Sequence, residues 1–145
     1  MRFLFPVRFL MAAVLLLPAA CAREPDADAV RGAIQAMAKA AEARSSSDVL
    51  ERVAADFTGN GGEFDRAGLE RMLRMRLLAG QAIGVSIGRI EVEFDGDRAT
   101  ARFPMTVADD SGRWLPDRRA TLGVTTGWRR ERCGWVCYNA SWKQE

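Results

Sequence analysis

Histidine is absent from the 145 residues. That excludes Ser-His-Asp and Cys-His catalysis, histidine metal sites and a histidine pH switch. Tyrosine occurs once, as Tyr138, and cysteine three times, as Cys21, Cys133 and Cys137. Two thiols near the C-terminus, without a third or fourth ligand, make a poor zinc site, so neither a metal nor a cofactor is expected. Long apolar runs are missing too. The longest, Phe9 to Ala20, holds twelve uncharged residues, well short of the roughly 20 that a membrane-spanning helix needs. Neither charge sign dominates, with 21 basic and 19 acidic side chains. No internal repeat or low-complexity segment breaks the chain, and its length fits one domain.

What is present begins at the N-terminus. Arg2 and Arg8 precede the Phe9–Ala20 run, and this charge and length are those of a secretory signal. The run ends in Leu17-Pro18-Ala19-Ala20-Cys21. Small side chains before a cut site are what a signal peptidase requires, because bulky ones block its cleft. A cysteine directly after them resembles the lipobox of bacterial lipoproteins, although Pro18 stands where that pattern has leucine and Leu17 lies one place further back. The resemblance implies that residues 1–20 are a cleaved signal, that Cys21 carries a diacylglyceryl group, and that its new amine is acylated. The alternative is an ordinary secretory signal cut near Ala20, leaving Cys21 free. Each chain contributes about 0.8 kcal/mol per buried methylene, so two or more form a stable anchor. Ala22 occupies the place where inner-membrane lipoproteins tend to carry Asp, which leans the expectation toward the outer membrane.

Cleavage also changes the charge. Residues 1–20 contain Arg2 and Arg8 and no acid, so nineteen of each sign remain of the original 21 and 19. A general attraction to nucleic acid is therefore not expected.

Residues 21–28 read as a polar tether, and residues 29–145 as the folded domain. Asp26 or Asp28 can cap a first helix, whose apolar face is Val30, Ile34, Met37 and Ala41. Ser45-Ser46-Ser47 breaks it. Ser47 or Asp48 can cap a short second helix with Leu50, Val53 and Ala54 on one side. The Thr58–Gly62 segment reads as a loop. Asp65 starts a third helix that runs to about Ala79, with Leu69, Met72, Leu73 and Leu77 as its stripe and Gly80 at its end.

The period then changes to two. Ile83, Val85 and Ile87 lie at odd positions, whereas Ile90, Val92 and Phe94 lie at even ones. One flat strand cannot switch parity, so a bend or bulge is expected at Gly88-Arg89. Asp95-Gly96 marks a tight turn. Ala99, Ala101, Phe103, Met105 and Val107 form the inner face of the next strand, and Pro104 points it toward an edge or a bulge. Residues 109–118 read as a hairpin loop. Ala120, Leu122, Val124, Thr126 and Trp128 alternate again, residues 129–134 turn, and the last strand puts Val136, Tyr138, Ala140 and Trp142 on one face.

Three helices followed by hairpin-connected strands give an α+β class, with the helices packed on one face of a curved antiparallel sheet of four to five strands. This arrangement, carried by residues 30–44, 50–62, 65–78 and the 127–142 hairpin, resembles the nuclear transport factor 2-like superfamily, the cystatin-like α+β cone. The resemblance implies a sheet wrapped around a pocket. Steroid isomerase-type members use a carboxylate base with a tyrosine on the first helix, and dehydratase-type members use histidine. Tyr138 is on the last strand and histidine is absent, so no catalytic residue carries over.

Several residues remain candidates for the pocket. Asp56 is an acid among apolar neighbours at the end of the second helix, a loop or cap residue if not a base. Arg76 lies near the apolar stripe of the third helix. There it snorkels to solvent, neutralises a buried acid or meets an anionic ligand. Trp128, Tyr138 and Trp142 either fill the core or line a concave face that stacks on a flat apolar ligand. Arg129 to Arg132 form a charged hairpin tip or a contact for phosphate headgroups. Cys133 and Cys137 lie about 13 Å apart on a straight strand, beyond disulfide reach, unless Gly134 lets the chain curl back. The leading expectation is a lipid-anchored envelope domain that binds a small apolar molecule or an envelope protein without catalysis. An isomerase or hydratase built on a carboxylate and tyrosine is the second reading, and a structural module that forms a homodimer is the third.

Overall fold

A computed structural model describes residues 26–77, 83–109, 119–132 and 134–145. The expected signal, Cys21, Gly80, Cys133 and the loop after Asp109 lie outside the described residues. The chain order is α1 (Asp26–Glu42), α2 (Ser46–Leu50), β1 (Val53–Gly59), a 3-10 turn (Asn60–Gly62), β2 (Phe64–Asp65), α3 (Arg66–Leu77), β3 (Ile83–Ile87), β4 (Glu91–Asp95), β5 (Arg98–Asp109), β6 (Arg119–Glu131) and β7 (Gly134–Gln144). The α+β class holds.

The helices start as their first residues dictate. Asp26 and Asp28 lie in the first turn of α1, where negative charge complements the free N–H groups. Asp65 caps α3, and its Oδ1 accepts from the Gly68 N–H at 2.6 Å. The cap of α2 is Ser45, two residues ahead of the serine and three ahead of the aspartate expected, and its hydroxyl accepts from the Asp48 N–H at 3.3 Å.

The sheet is larger than expected and mixed rather than antiparallel throughout. Its order is β2-β1-β7-β6-β5-β3, with β4 also paired to β5. Residues 53–59 form a strand, not the end of a helix, and that strand runs parallel to β7. Its register with β7 slips between Val53 and Thr58. The slip leaves Val53, Ala54, Phe57 and Gly59 buried, a spacing that hides the two-residue period.

Bends occur where the parity of the sequence switches. The chain leaves the sheet at residues 88–90, so β3 and β4 pair separately with the two halves of β5. Pro104 does not lie on an edge strand. It sits inside β5, opposite that break, and its carbonyl accepts from the Gly88 N–H at 2.9 Å. A strand residue turns its N–H and C=O to the same side. The donor that proline lacks therefore faces the gap between β3 and β4, where no ladder partner is left unmatched.

A second bulge shapes β7. Gly127 pairs with Asn139 and Trp128 with Cys137, so Tyr138 is the extra residue. The inner face of β7 is therefore Trp135 and Cys137, then Ala140 and Trp142, instead of even-numbered residues throughout. Gly127 permits this turn of the chain, because a Cβ there would lie 2.5 Å from Asn139 Oδ1.

Helix α1 packs across the inner face and secures the broken edge. Arg31 Nε donates to the Ile90 carbonyl at 3.3 Å, and Glu42 Oε1 accepts from the Val85 N–H at 2.8 Å. Both satisfy backbone groups that an edge strand otherwise leaves open. The core joins Val30 and Ile34 of α1 to Phe57, Leu69, Ala101, Phe103, Val124 and Trp128. Trp128 is fully buried.

Candidate functional site

The inner face is not completely filled. A cavity of about 270 Å³ lies between α1, α3 and strands β3, β5, β6 and β7, just below the usual size range of small-molecule sites. Its walls include Ile34 and Met37 of α1, Leu73 and Leu77 of α3, Phe103 and Met105 of β5, Val124 of β6 and Trp142 of β7. All came from apolar stripes that the sequence reads as inward-facing. What the sequence does not reveal is that space remains among them.

Three polar groups of the wall, those of Thr126, Trp128 and Cys137, already have partners. Trp128 Nε1 donates to Thr126 Oγ1 at 2.8 Å, and that hydroxyl donates to the Ala101 carbonyl at 3.3 Å. The Cys137 thiol donates to the Asn139 carbonyl at 3.2 Å. Burial pushes this thiol up to about 12, against a smaller opposing effect of the hydrogen bond. It is therefore protonated at neutral pH and a poor nucleophile. Thr126 is the residue that sequence reasoning missed. The signal was available, because it is the one hydroxyl in an otherwise apolar alternation from Ala120 to Trp128.

The expected pocket residues divide into two groups. Arg76, Trp128 and Trp142 border the cavity. Trp142 is held by a stacked contact with Phe64, the ring centroids 5.8 Å apart, and by its backbone N–H donating to Asn60 Oδ1 at 3.0 Å. Asp56 and Tyr138 are not in the cavity, which corrects that expectation. Asp56 stands on β1 facing the outer side of the sheet, where Arg129 grips both its oxygens at 2.8 and 2.9 Å. The guanidinium holds this carboxyl below its ordinary range, assisted by a backbone hydrogen bond. A general base needs the opposite shift. Glu131 also accepts from Arg129, at 3.1 Å. The bulge turns Tyr138 outward, with the Arg98 guanidinium 4.9 Å above its ring.

At the hairpin tip Arg130 is paired as well as Arg129. Arg130 reaches Asp26 at the start of α1 and lies 4.9 Å over the Trp135 ring. Cys133 lies outside the described residues, so a bridge to Cys137 stands only as a sequence expectation. Among the described residues no cluster of side chains suits a metal ion, and no helix is long and apolar enough to cross a membrane.

No protein-family model matches the chain, and no curated protein does. Solved structures do. An NTF2-like protein of unknown function from Pseudomonas putida superposes with a TM-score of 0.69 at 15% identity, over 81% of this chain and 84% of that one. A protein with a cystatin-like fold from Nostoc punctiforme gives 0.68 at 14% identity, over 83% and 91%. The fold is the cystatin-like, NTF2-like one. A protein of that fold from Streptomyces avermitilis, provisionally named a dehydratase, gives 0.70 at 16% identity, over 84% and 99%. Identities this low establish shared architecture, and function has to be argued from the site.

Proposed function

We propose that this chain is an exported, lipid-anchored domain of the cell envelope that binds a small apolar molecule in its cavity without transforming it. The observation that carries this reading is the chemistry of the wall. Among the described residues it holds no carboxylate and no tyrosine, and its hydroxyl and thiol already have partners. An isomerase or hydratase on this fold needs an acid or base against the ligand. Asp56 and Tyr138, the sequence's candidates for that work, face away. Apolar area and ring contacts remain to hold a ligand.

The anchor rests on Leu17 to Cys21, and Ala22 favours the outer membrane. The short stretch between Cys21 and the start of α1 at Asp26 would leave the domain in the periplasm beside its membrane.

The test is native mass spectrometry of the full chain carrying Cys21→Ser, exported and purified without detergent. An added mass on the folded protein that disappears on denaturation supports binding and identifies the ligand class. The bare mass alone, after gentle purification from cells, counts against it. Radiolabelled palmitate supplied to cells should mark the wild-type chain and not the Cys21→Ser variant. Equal labelling of both would remove the anchor from the reading.

A further inference from the structure

Arg76 stands where the cavity meets solvent. It belongs both to the wall of the apolar cavity and to that of a polar groove on the outer side of α3, and among the described residues no other side chain does. The groove is formed by the turn before α3 and the helix itself, with Glu63, Asp65, Arg71 and Met75 along it. Arg76 is exposed. Among the described residues it makes no hydrogen bond or ion pair. It is also the one charged residue among the described residues of the cavity wall.

This placement constrains the ligand. Inside the cavity, the hydroxyl, indole and thiol of Thr126, Trp128 and Cys137 are already engaged, so a ligand's polar group buried there would displace an existing bond or go without a partner. Either outcome costs free energy. At the mouth the situation reverses, because an unpaired guanidinium offers a planar fork of donors that matches a carboxylate. A ligand that is apolar throughout would leave that cation unused. A cationic one would be repelled.

We infer that the occupant is an amphiphilic carboxylic acid, its hydrocarbon body in the cavity and its carboxylate at the mouth on Arg76. The inference rests on the binding reading above and narrows it from any small apolar molecule to a monoanion. Arg76 is then the residue that determines specificity, while Phe103, Val124 and Trp142 supply affinity that does not depend on charge.

The test uses the full chain carrying Cys21→Ser, titrated with decanoate, decanol and decylamine. Trp128 and Trp142 border the cavity, so their fluorescence reports occupancy. Decanoate should bind about tenfold tighter than decanol, the scale of one charge-assisted hydrogen bond. That margin should shrink as salt is raised. Decylamine should bind most weakly. In Arg76→Gln the preference for decanoate should vanish while decanol affinity stays within twofold of wild type, and Arg76→Lys should restore part of it. Equal binding of decanoate and decanol to the wild type would overturn the inference and leave the binding reading intact. So would a preference that survives Arg76→Gln. If none of the three binds, both fail together. Because Arg76 is exposed, its replacement should leave the unfolding midpoint unchanged, which separates a lost contact from a lost fold.

Discussion

Gly88 and Pro104 face each other across the break between β3 and β4. The Gly88 N–H donates to the Pro104 carbonyl at 2.9 Å, and a Cβ on Gly88 would lie 2.5 Å from Pro104 Cγ. The proline ring therefore occupies the space that any other residue at position 88 would need. Each residue breaks a local rule of strand formation, and each is accommodated by the other. Together they place the bend that lets β3 and α1 close over the cavity.

Gly88→Val should accordingly destabilise the protein. The contacting atoms belong to a closed ring and cannot swing aside, so the expected cost is that of overpacking, about 1–3 kcal/mol. Gly32→Ala provides the opposite case. A Cβ at Gly32 in α1 meets nothing within 4 Å, and alanine in a helix interior is favoured over glycine by about 0.5–1 kcal/mol. Urea unfolding of both variants should shift the midpoint in opposite directions. A neutral Gly88→Val would show that the bend is set elsewhere.

Thr126→Val removes the acceptor of the Trp128 indole N–H while preserving the side chain's shape. The indole is fully buried, so its donor would be left without a partner, at a cost of about 1–3 kcal/mol. Thr126→Ser keeps the oxygen and should lose less. Near-ultraviolet circular dichroism, which senses how firmly Trp128 is held, should weaken for valine and not for serine. A valine variant that matches the wild type would mean that the hydroxyl contributes nothing to holding the indole.

Helical and strand periods made most of the framework legible. Val30, Ile34, Leu69 and Leu77 face inward as their spacing requires, and the odd residues of β5 and even residues of β6 form one continuous inner face. The failures have a common cause. The period hides β1, and it gives the right parity for Ala140 and Trp142 of β7 but the wrong one before Tyr138, because both strands contain register irregularities and a bulge moves the residues on one side of it to the other face. Tyr138 was misplaced by the very residue count that it interrupts. The site was less legible than the fold. Periodicity tells which way a side chain points, but not whether the space it points into is full. Arg76 was distinguishable only as a charge beside an apolar stripe, and its position at the cavity mouth depends on strands distant in sequence.

Asp56 and Arg129 lie on the side of the sheet away from the cavity, with the Asp56 side chain 67% exposed. Asp56→Asn should therefore leave decanoate affinity within twofold of wild type. A carboxyl titration followed by nuclear magnetic resonance should place Asp56 below the ordinary value of 3.8, because Arg129 stabilises the charged form. For a lowered carboxyl, the stabilisation is present above the ordinary value and disappears as pH falls through the lowered one. A raised value, or a large loss of binding in Asp56→Asn, would restore the acid as a member of the site.

Cys137 links stability to alkaline pH in the opposite sense. Its thiol is pushed up to about 12 by burial in the folded state, against 9.0 for an ordinary thiol. Between those values the unfolded chain releases a proton that the folded chain retains. Unfolding is then favoured by rising pH, with a limiting slope of roughly 1.4 kcal/mol per unit. The contribution is fully present below about 9 and declines as pH rises toward the folded value. Other groups titrate in the same range, so the diagnostic quantity is the difference between wild type and Cys137→Ala in reducing buffer. Alanine should cost stability at pH 7, where the thiol fills its site. That cost should diminish between pH 9 and 11, as the wild type loses what the variant never had. In parallel, iodoacetamide should modify Cys137 slowly below pH 9 unless the protein is unfolded. A difference that stays constant with pH would mean that water reaches the thiol, and that the cavity around it is wetter than its apolar wall implies.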